Sequence, residues 1–258
     1  MNSASLILEN LTVGYRNNHR ETPLLTGLNE RLSSGELVAL LGENGAGKST
    51  LLRTITCDLD SLAGRVLFDG RDVTQLSLRQ CARLLGLVST DRLQAGGLTV
   101  RELVALGRQP HTGFLGRLGV QDREVVEQAM KSVGIAHKAD VFVAQMSDGE
   151  RQKAMIARAL AQQTPIVVLD EPTAFLDVAS RIETMRLLVK LAHDQGKAVL
   201  LSSHDVSQSL LMADRLWLIT HDRCFESGTP QQLIADGAMN RLFADRDVSF
   251  DSSLLDYR

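Results

Sequence analysis

The stretch ELVALLGENGAGKST, residues 36–50, decides the fold. Its first half, ELVALLG (36–42), is a short apolar run of the kind that forms a strand buried on both faces of a parallel sheet. Its second half, GENGAGKST (42–50), satisfies G-x-x-x-x-G-K-[ST] at Gly42, Gly47, Lys48 and Ser49. Glycines at that spacing let backbone N–H groups curl around phosphate oxygens without Cβ clashes. Asn44, Gly45, Ala46 and Thr50 are counted with that cradle. Lys48 is expected to neutralise the β- and γ-phosphates, and the Ser49 hydroxyl to ligate Mg²⁺. Average composition yields the pattern by chance in roughly one chain of this length in a hundred. A glycine-rich turn is the alternative, but it leaves the preceding strand and the following helical pattern KSTLLRTIT (48–56) as coincidences. A nucleoside triphosphate is therefore the expected ligand.

Working outward, PIVVLD (165–170) and KAVLLSS (197–203) read as further buried strands. Helical patterns follow them at 178–196 and 207–214. Strand, turn and helix in this repeated order indicate a βαβ architecture with ligands at the carboxyl ends of the strands. Residues 6–15 and 65–68 read as strands, with a turn at Asp69-Gly70, as near an antiparallel edge. TVRELVALG, DREVVEQAMKSVG and GERQKAMIARALAQQ are helical, with no good strand candidate between them, and suggest an inserted helical subdomain. RLWLI (215–219) and RCFES (223–227) read as a closing pair of strands, and the tail from Gly237 as irregular. The expected division is a discontinuous α/β core at 1–88 and 164–236, a helical subdomain at 89–163, and a C-terminal tail at 237–258.

Composition narrows the function classes. The chain has 258 residues, 44% hydrophobic and 23% charged, which is ordinary for a globular protein. A net charge of −3 gives no bulk electrostatic case for nucleic acid. Three cysteines, Cys57, Cys81 and Cys224, lie far apart in the sequence with no C-x-x-C spacing, and read as reduced thiols. MNSASLILENLTVGY lacks a basic region followed by a long apolar stretch, so no signal peptide is expected. Apolar runs are strand-length, far short of the ~20 residues that span a bilayer.

IVVLDEPT (166–173) supplies a second half to the phosphate site. An apolar strand ending in Asp170 places a carboxylate at the sheet edge, where Mg²⁺ and phosphates are expected. Glu171 follows and is placed to orient or deprotonate an attacking water. His204, in LLSSHD after the next strand, falls at the same edge and can donate to a γ-phosphate. Taken singly, each acid reads as a solvated strand end and the histidine as a turn residue; their common position gives them weight.

With these motifs in order, the chain resembles the ATPase subunits of ABC transporters, from Tyr15 to about Gly228. The matching stretches are Gly42–Thr50, Met146–Glu150, Ile166–Glu171, Phe175-Leu176-Asp177 and His204. The resemblance implies a P-loop NTPase (RecA-like) fold, ATP and Mg²⁺ as cofactors, and ATP hydrolysis. It implies that Tyr15 stacks on adenine, that Asp177 lies on the loop joining two nucleotide sites, and that His204 senses the γ-phosphate. It further implies a head-to-tail dimer in which MSDGE (146–150) of one copy closes the P-loop of the other, Ser147 donating to phosphate and Gly149 permitting close approach. Such subunits sit on the cytoplasmic face of the membrane, bound to two transmembrane permease subunits.

Two departures stand out. The family's Leu-Ser-Gly-Gly-Gln is replaced by MSDGE, so Asp148 and Glu150 bring acids to an expected phosphate position. As a helix start the same residues are favourable, because Ser147 and Glu150 have the spacing of a capping box and acids complement the helix dipole. The expectation is that Glu150 turns back into its cap and that Arg151 or Lys153 offsets Asp148. The second departure is Thr90, where the family places a glutamine; Asp91 is the alternative occupant, and a plain polar turn the alternative reading.

VRELVALGRQPHTG (100–113) with SDGERQ resembles importers of iron–siderophore complexes, haem and vitamin B12, which also work with an extracytoplasmic substrate-binding protein. The segment's implied task is docking; Arg108, Pro110 and His111 carry no evident chemistry, and His111 reads as a surface residue. Two alternatives are kept: another ABC-type transporter, such as an exporter or lipid-handling complex, and a non-transport ABC protein acting on nucleic acid or ribosomes. A single ATPase module and the absence of a basic arm count against the last.

Overall fold

The computed structural model describes residues 5–17, 20–89, 97–113, 116–244, 249–253 and 255–257. The chain begins with two long antiparallel strands, β1 (Ser5–Asn17) and β2 (Arg20–Ser33). β3 (Leu37–Gly42) then runs through the loop of residues 43–47 into α1 (Lys48–Ile55). β4 (Ala63–Phe68) and β5 (Arg71–Asp72) form a hairpin, and α2 (Leu78–Leu84) leads directly into β6 (Leu85–Val88). The helices α3 (Val100–Ala105), α4 (Val120–Ser132) and α5 (Asp148–Ala161) follow. The chain returns through β7 (Ile166–Leu169), α6 (Val178–His193), β8 (Ala198–Ser203), α7 (Val206–Met212), β9 (Arg215–Ile219) and β10 (Phe225–Gly228). It closes with α8 (Pro230–Ala235), α9 (Ala238–Leu242) and a short hairpin of β11 (Phe250–Asp251) and β12 (Asp256–Tyr257).

Among the described residues the two large sheets have the orders β10-β9-β3-β8-β7-β6 and β2-β1-β4-β5. The first is parallel except for β10, which pairs antiparallel with β9 at one edge. Its strands are continuous apolar runs because both faces are covered. Leu37, Ala39 and Leu41 of β3 join one hydrophobic cluster with Val167, Leu169, Val199, Leu201, Leu216 and Leu218. Val38 and Leu40, facing the other way, join Ile166, Val168, Leu200 and Trp217 in a second cluster. That second cluster takes in Leu51, Leu52 and Ile55 of α1 and also Leu6, Leu8, Leu28 and Phe68 of the antiparallel sheet. The helix that follows the phosphate-type loop is therefore packed between the two sheets. The first cluster extends without a break into the 100–161 helices through Leu103, Met130 and Ile156.

The hairpin turn expected at Asp69-Gly70 is present. Both residues are left-handed, at φ 47° and 77°, which suits the two-residue turn between Phe68 and Arg71. Other segments differ from the sequence reading. β2 has no clean alternation, and its register against β1 shifts between Leu8 and Leu11, Leu11 and Val13, and Val13 and Gly14. α2 and β6 meet without a loop, so neither carries its own boundary signal. Residues after Gly237 are not an irregular tail, since α9 puts Ala238, Met239 and Leu242 fully into the first cluster. Among the described residues no helix is long and apolar enough to cross a membrane.

Candidate functional site

The strand order explains how distant motifs meet. β3, β8 and β7 are neighbours and parallel, so the residues after Gly42, Ser203 and Leu169 emerge at one edge of the sheet. After β3 the chain makes the tight loop that opens α1. Gly47 takes φ 112° at the helix start, a value a side chain would strain. Lys48 is buried, and its Nζ donates to the Gly42 and Glu43 carbonyls at 2.7 and 3.0 Å. Burial lowers its pKa, against the opposing pull of Glu171, Asp170 and Glu43. The ammonium thus sits in an acidic field at the centre of the loop. Ser49, Asn44 and Gly45 are exposed, whereas Gly42, Ala46, Gly47 and Thr50 are buried. Tyr15, at the exposed end of β1, hydrogen-bonds through its hydroxyl to Thr50 Oγ1 at 3.0 Å, which sets its ring beside the loop.

After β7 come the two acids. Asp170 Oδ1 accepts from Ser202 Oγ at 2.6 Å, and Ser202 Oγ in turn accepts from the Glu171 backbone N–H at 2.8 Å. Ser202 lies fully buried on β8, so this hydroxyl fixes the carboxylate of one acid and the backbone of the other. Sequence reasoning passed over it, although it stands two residues before His204 in LLSSHD. Glu171 holds φ 46°, uncommon for a residue with a side chain and of the sort found where a site over-determines its backbone. Its Oε1 is hydrogen-bonded to His204 Nε2. Glu171 and His204 line a cavity of about 460 Å³ together with Phe175, Arg181 and Asp205. Arg181 binds Asp205 Oδ2 at 3.1 Å and the Leu176 carbonyl at 3.4 Å, tying the loop after β8 to the loop before α6.

A second group forms around the starts of α5 and α6. Ser147 caps α5, its Oγ accepting from the Glu150 N–H at 3.3 Å while Glu150 Oε2 accepts from the Ser147 N–H at 3.1 Å. Glu150 is also paired with Lys138, which with the cap holds its carboxyl below the usual range. Asp148 Oδ1 is 2.7 Å from Arg151 Nη1. Lys153, the other expected partner of Asp148, pairs with Glu183 instead, and Lys138 had no signal in the sequence. Asp177 caps α6 through the Ser180 N–H and hydroxyl, at 2.9 and 2.8 Å. A Cβ on Gly149 would come within 2.7 Å of Ser180 Oγ, so that glycine already serves close packing inside this chain. Lys48, Asp170, Glu171 and His204 are thus gathered at one edge, and Tyr15 lies against Thr50 of α1. Among the described residues no hydrogen bond links Ser147 or Gly149 to Lys48 or Ser49. Thr90 and Asp91 lie outside the described residues.

The 100–113 segment is more structural than its sequence implied. Arg108 is buried and donates to Asp122, the Ala161 carbonyl and Gln163 at 2.9, 2.7 and 2.8 Å. His111 is half-buried against the Gln162 carbonyl at 2.8 Å rather than a free surface residue.

Residues 25–174 match the family described as ABC transporter. The ferric enterobactin transport ATP-binding protein of Escherichia coli is 35% identical over 94% of this chain and 88% of its own length. The cobalamin import ATP-binding protein of Halobacterium salinarum is 37% identical over 87% of this chain and 56% of its own length. Among solved structures, an ABC transporter in an inward-facing conformation superposes with a TM-score of 0.81 at 27% identity, covering 93% of this chain and 89% of that one. A bacterial ABC transporter cassette solved as a dimer gives 0.71 at 28% identity, over 82% and 93% of the two chains. A chain matched by that family over residues 25–174, and by these ATP-binding proteins over most of its length, is an ATPase that belongs to the ABC transporter family.

Proposed function

We propose that this chain is the ATP-hydrolysing subunit of an importer for an iron complex, a siderophore or haem, or for vitamin B12. The observation that carries the reading is the meeting of Asp170, Glu171 and His204 with the buried Lys48 at one sheet edge. The relatives' names, ferric enterobactin transport and cobalamin import, support the cargo class. Lys48 and the loop N–H groups hold the phosphates, and Tyr15 carries the adenine. Asp170 and the exposed Ser49 offer hard oxygen donors, and Mg²⁺ takes only one or two protein oxygens beside phosphate and water. Bound there, Mg²⁺ would neutralise charge between phosphates. Glu171 polarises the attacking water and His204 meets the γ-phosphate, their mutual hydrogen bond keeping both at the edge until nucleotide arrives.

Two copies meet head to tail, with Ser147 and Gly149 of each closing the P-loop of the other and Asp177 between the sites. The dimeric cassette supports that assembly. Closure moves two permease subunits, docked on the helical 89–163 part, from the cytoplasmic face, with cargo delivered by an external binding protein. Core segments 1–88 and 164–236 hold the nucleotide. The test is Glu171→Gln. Turnover should fall about 10²- to 10⁴-fold while ATP still binds and a closed dimer accumulates. Normal turnover in that variant would refute the role of Glu171. Stimulation by DNA or ribosomes, in place of permease and loaded binding protein, would refute the importer.

A further inference from the structure

Cys57 and Cys81 are 24 residues apart in the chain, yet the fold sets their sulfur atoms 3.2 Å from each other. Cys57 follows the C-terminal end of α1 in the left-handed region, at φ 63°, and Cys81 is buried in α2. A disulfide holds its sulfurs about 2.05 Å apart, so each atom has to move only about half an ångström. The hydrogen bond between the two sulfurs and the burial of Cys81 already bring the pair together, so closing it needs little rearrangement. A cavity of about 320 Å³, lined by both cysteines with Thr56, Asp58 and Ala82, opens onto the pair. A second, of about 420 Å³ with Arg16 and Asp60 in its wall, reaches it from another side. Cys57 is partly exposed, so a small oxidant has a route to its sulfur.

We infer that Cys57 and Cys81 form a redox-active dithiol that closes to an intramolecular disulfide, a modification site separate from the ATP site. With hydrogen peroxide as oxidant, the Cys57 sulfur attacks the O–O bond, giving a sulfenic acid and one water. The Cys81 sulfur then displaces the hydroxyl as a second water, and the S–S bond forms. One peroxide accepts the two electrons that the two thiols lose. Burial, together with the hydrogen bond to Cys81, pushes the Cys57 thiol up to about 12, so thiolate is scarce near neutrality and the first step is slow. The pair therefore rests as thiols and closes under sustained oxidation, as befits a cysteine pair in a reducing compartment. The bond would join the helix that opens the P-loop to α2. Arg79 and Arg83 of α2 already hold the Pro110 carbonyl at 3.0 and 3.1 Å, so the link extends to the 100–113 segment.

The experiment uses the folded full chain and its Cys224→Ser variant, treated with hydrogen peroxide, alkylated and mapped by mass spectrometry without reduction. Alkylatable thiols in the variant should fall from two to none, with loss of two hydrogens, a Cys57–Cys81 peptide, and full reversal by dithiothreitol. In Cys81→Ser the reaction should stop at a dimedone-reactive sulfenic acid on Cys57. The inference is overturned if both thiols stay alkylatable at peroxide levels that consume exposed Cys224 in the wild-type chain. A cross-link that joins two chains, or one that forms only after unfolding, overturns it equally.

Discussion

At the start of α5 the carboxylate of Glu150 accepts from the Ser147 N–H and pairs with Lys138, so it is turned into its own cap. Asp148 is left as the more exposed acid, paired only along the helix surface with Arg151. A half-exposed pair of this kind is worth about 0.2–1 kcal/mol, too little to remove the field of the acid. Asp148→Gly should therefore lower the ATP concentration needed for dimer closure by about two- to five-fold. Light scattering in a Glu171→Gln background would read it, and an unchanged or raised concentration would count against the idea. The capping box was legible in MSDGE. The neutralising hand was not: Lys138 comes from a separate turn, and no local pattern announces a pair that only packing creates.

Among the elements, α4 depends on one side chain at its entrance. Asp122 accepts from the Gly119 N–H at 3.0 Å and binds Arg108, whose guanidinium also satisfies the end of α5. Arg108→Met would strand the Ala161 carbonyl and the carboxylate together, and should cost about 3 kcal/mol in urea unfolding. The Arg108 hydrogen bond is also the main cause holding the Asp122 carboxyl below the usual range. Its folded pKa lies below the unfolded value of about 3.9, so its contribution is complete above that value. It is lost as pH falls through the lower folded value, and Asp122→Asn should flatten that part of the acid limb. The motif-bearing strands β3, β7 and β8 were legible because burial on both faces forces continuous apolar runs. β2 was not, because an edge strand with bulges needs only Leu25, Leu28 and Leu32 inside and shows no period. The sequence reading also took Gly237 for the start of a tail, because a five-residue helix carries too few turns to display its pattern.

For the molecule as a whole, α9 is the outer wall of the larger hydrophobic cluster. Leu242→Ala should destabilise the chain by about 2–5 kcal/mol, measured by urea unfolding, and removal of residues 238–258 by more. ATP binding by the folded fraction of Leu242→Ala should be unchanged, since Leu242 is wholly buried in that cluster and is not in the wall of the cavity beside Glu171 and His204. The gathering of Lys48, Asp170, Glu171 and His204 could be foreseen because strand ends in a parallel sheet share one side, whatever their distance along the chain. That same topology carries a consequence for biosynthesis. Both neighbours of β3 in the sheet, β8 and β9, come after residue 197. On the ribosome the P-loop strand therefore waits, unpaired on both sides, until most of the chain has emerged. Long-range parallel pairing of this kind is slow to form. A nascent chain therefore carries the loop after β3 early, but the strand beneath it is held on both sides only once β8 and β9 have been made.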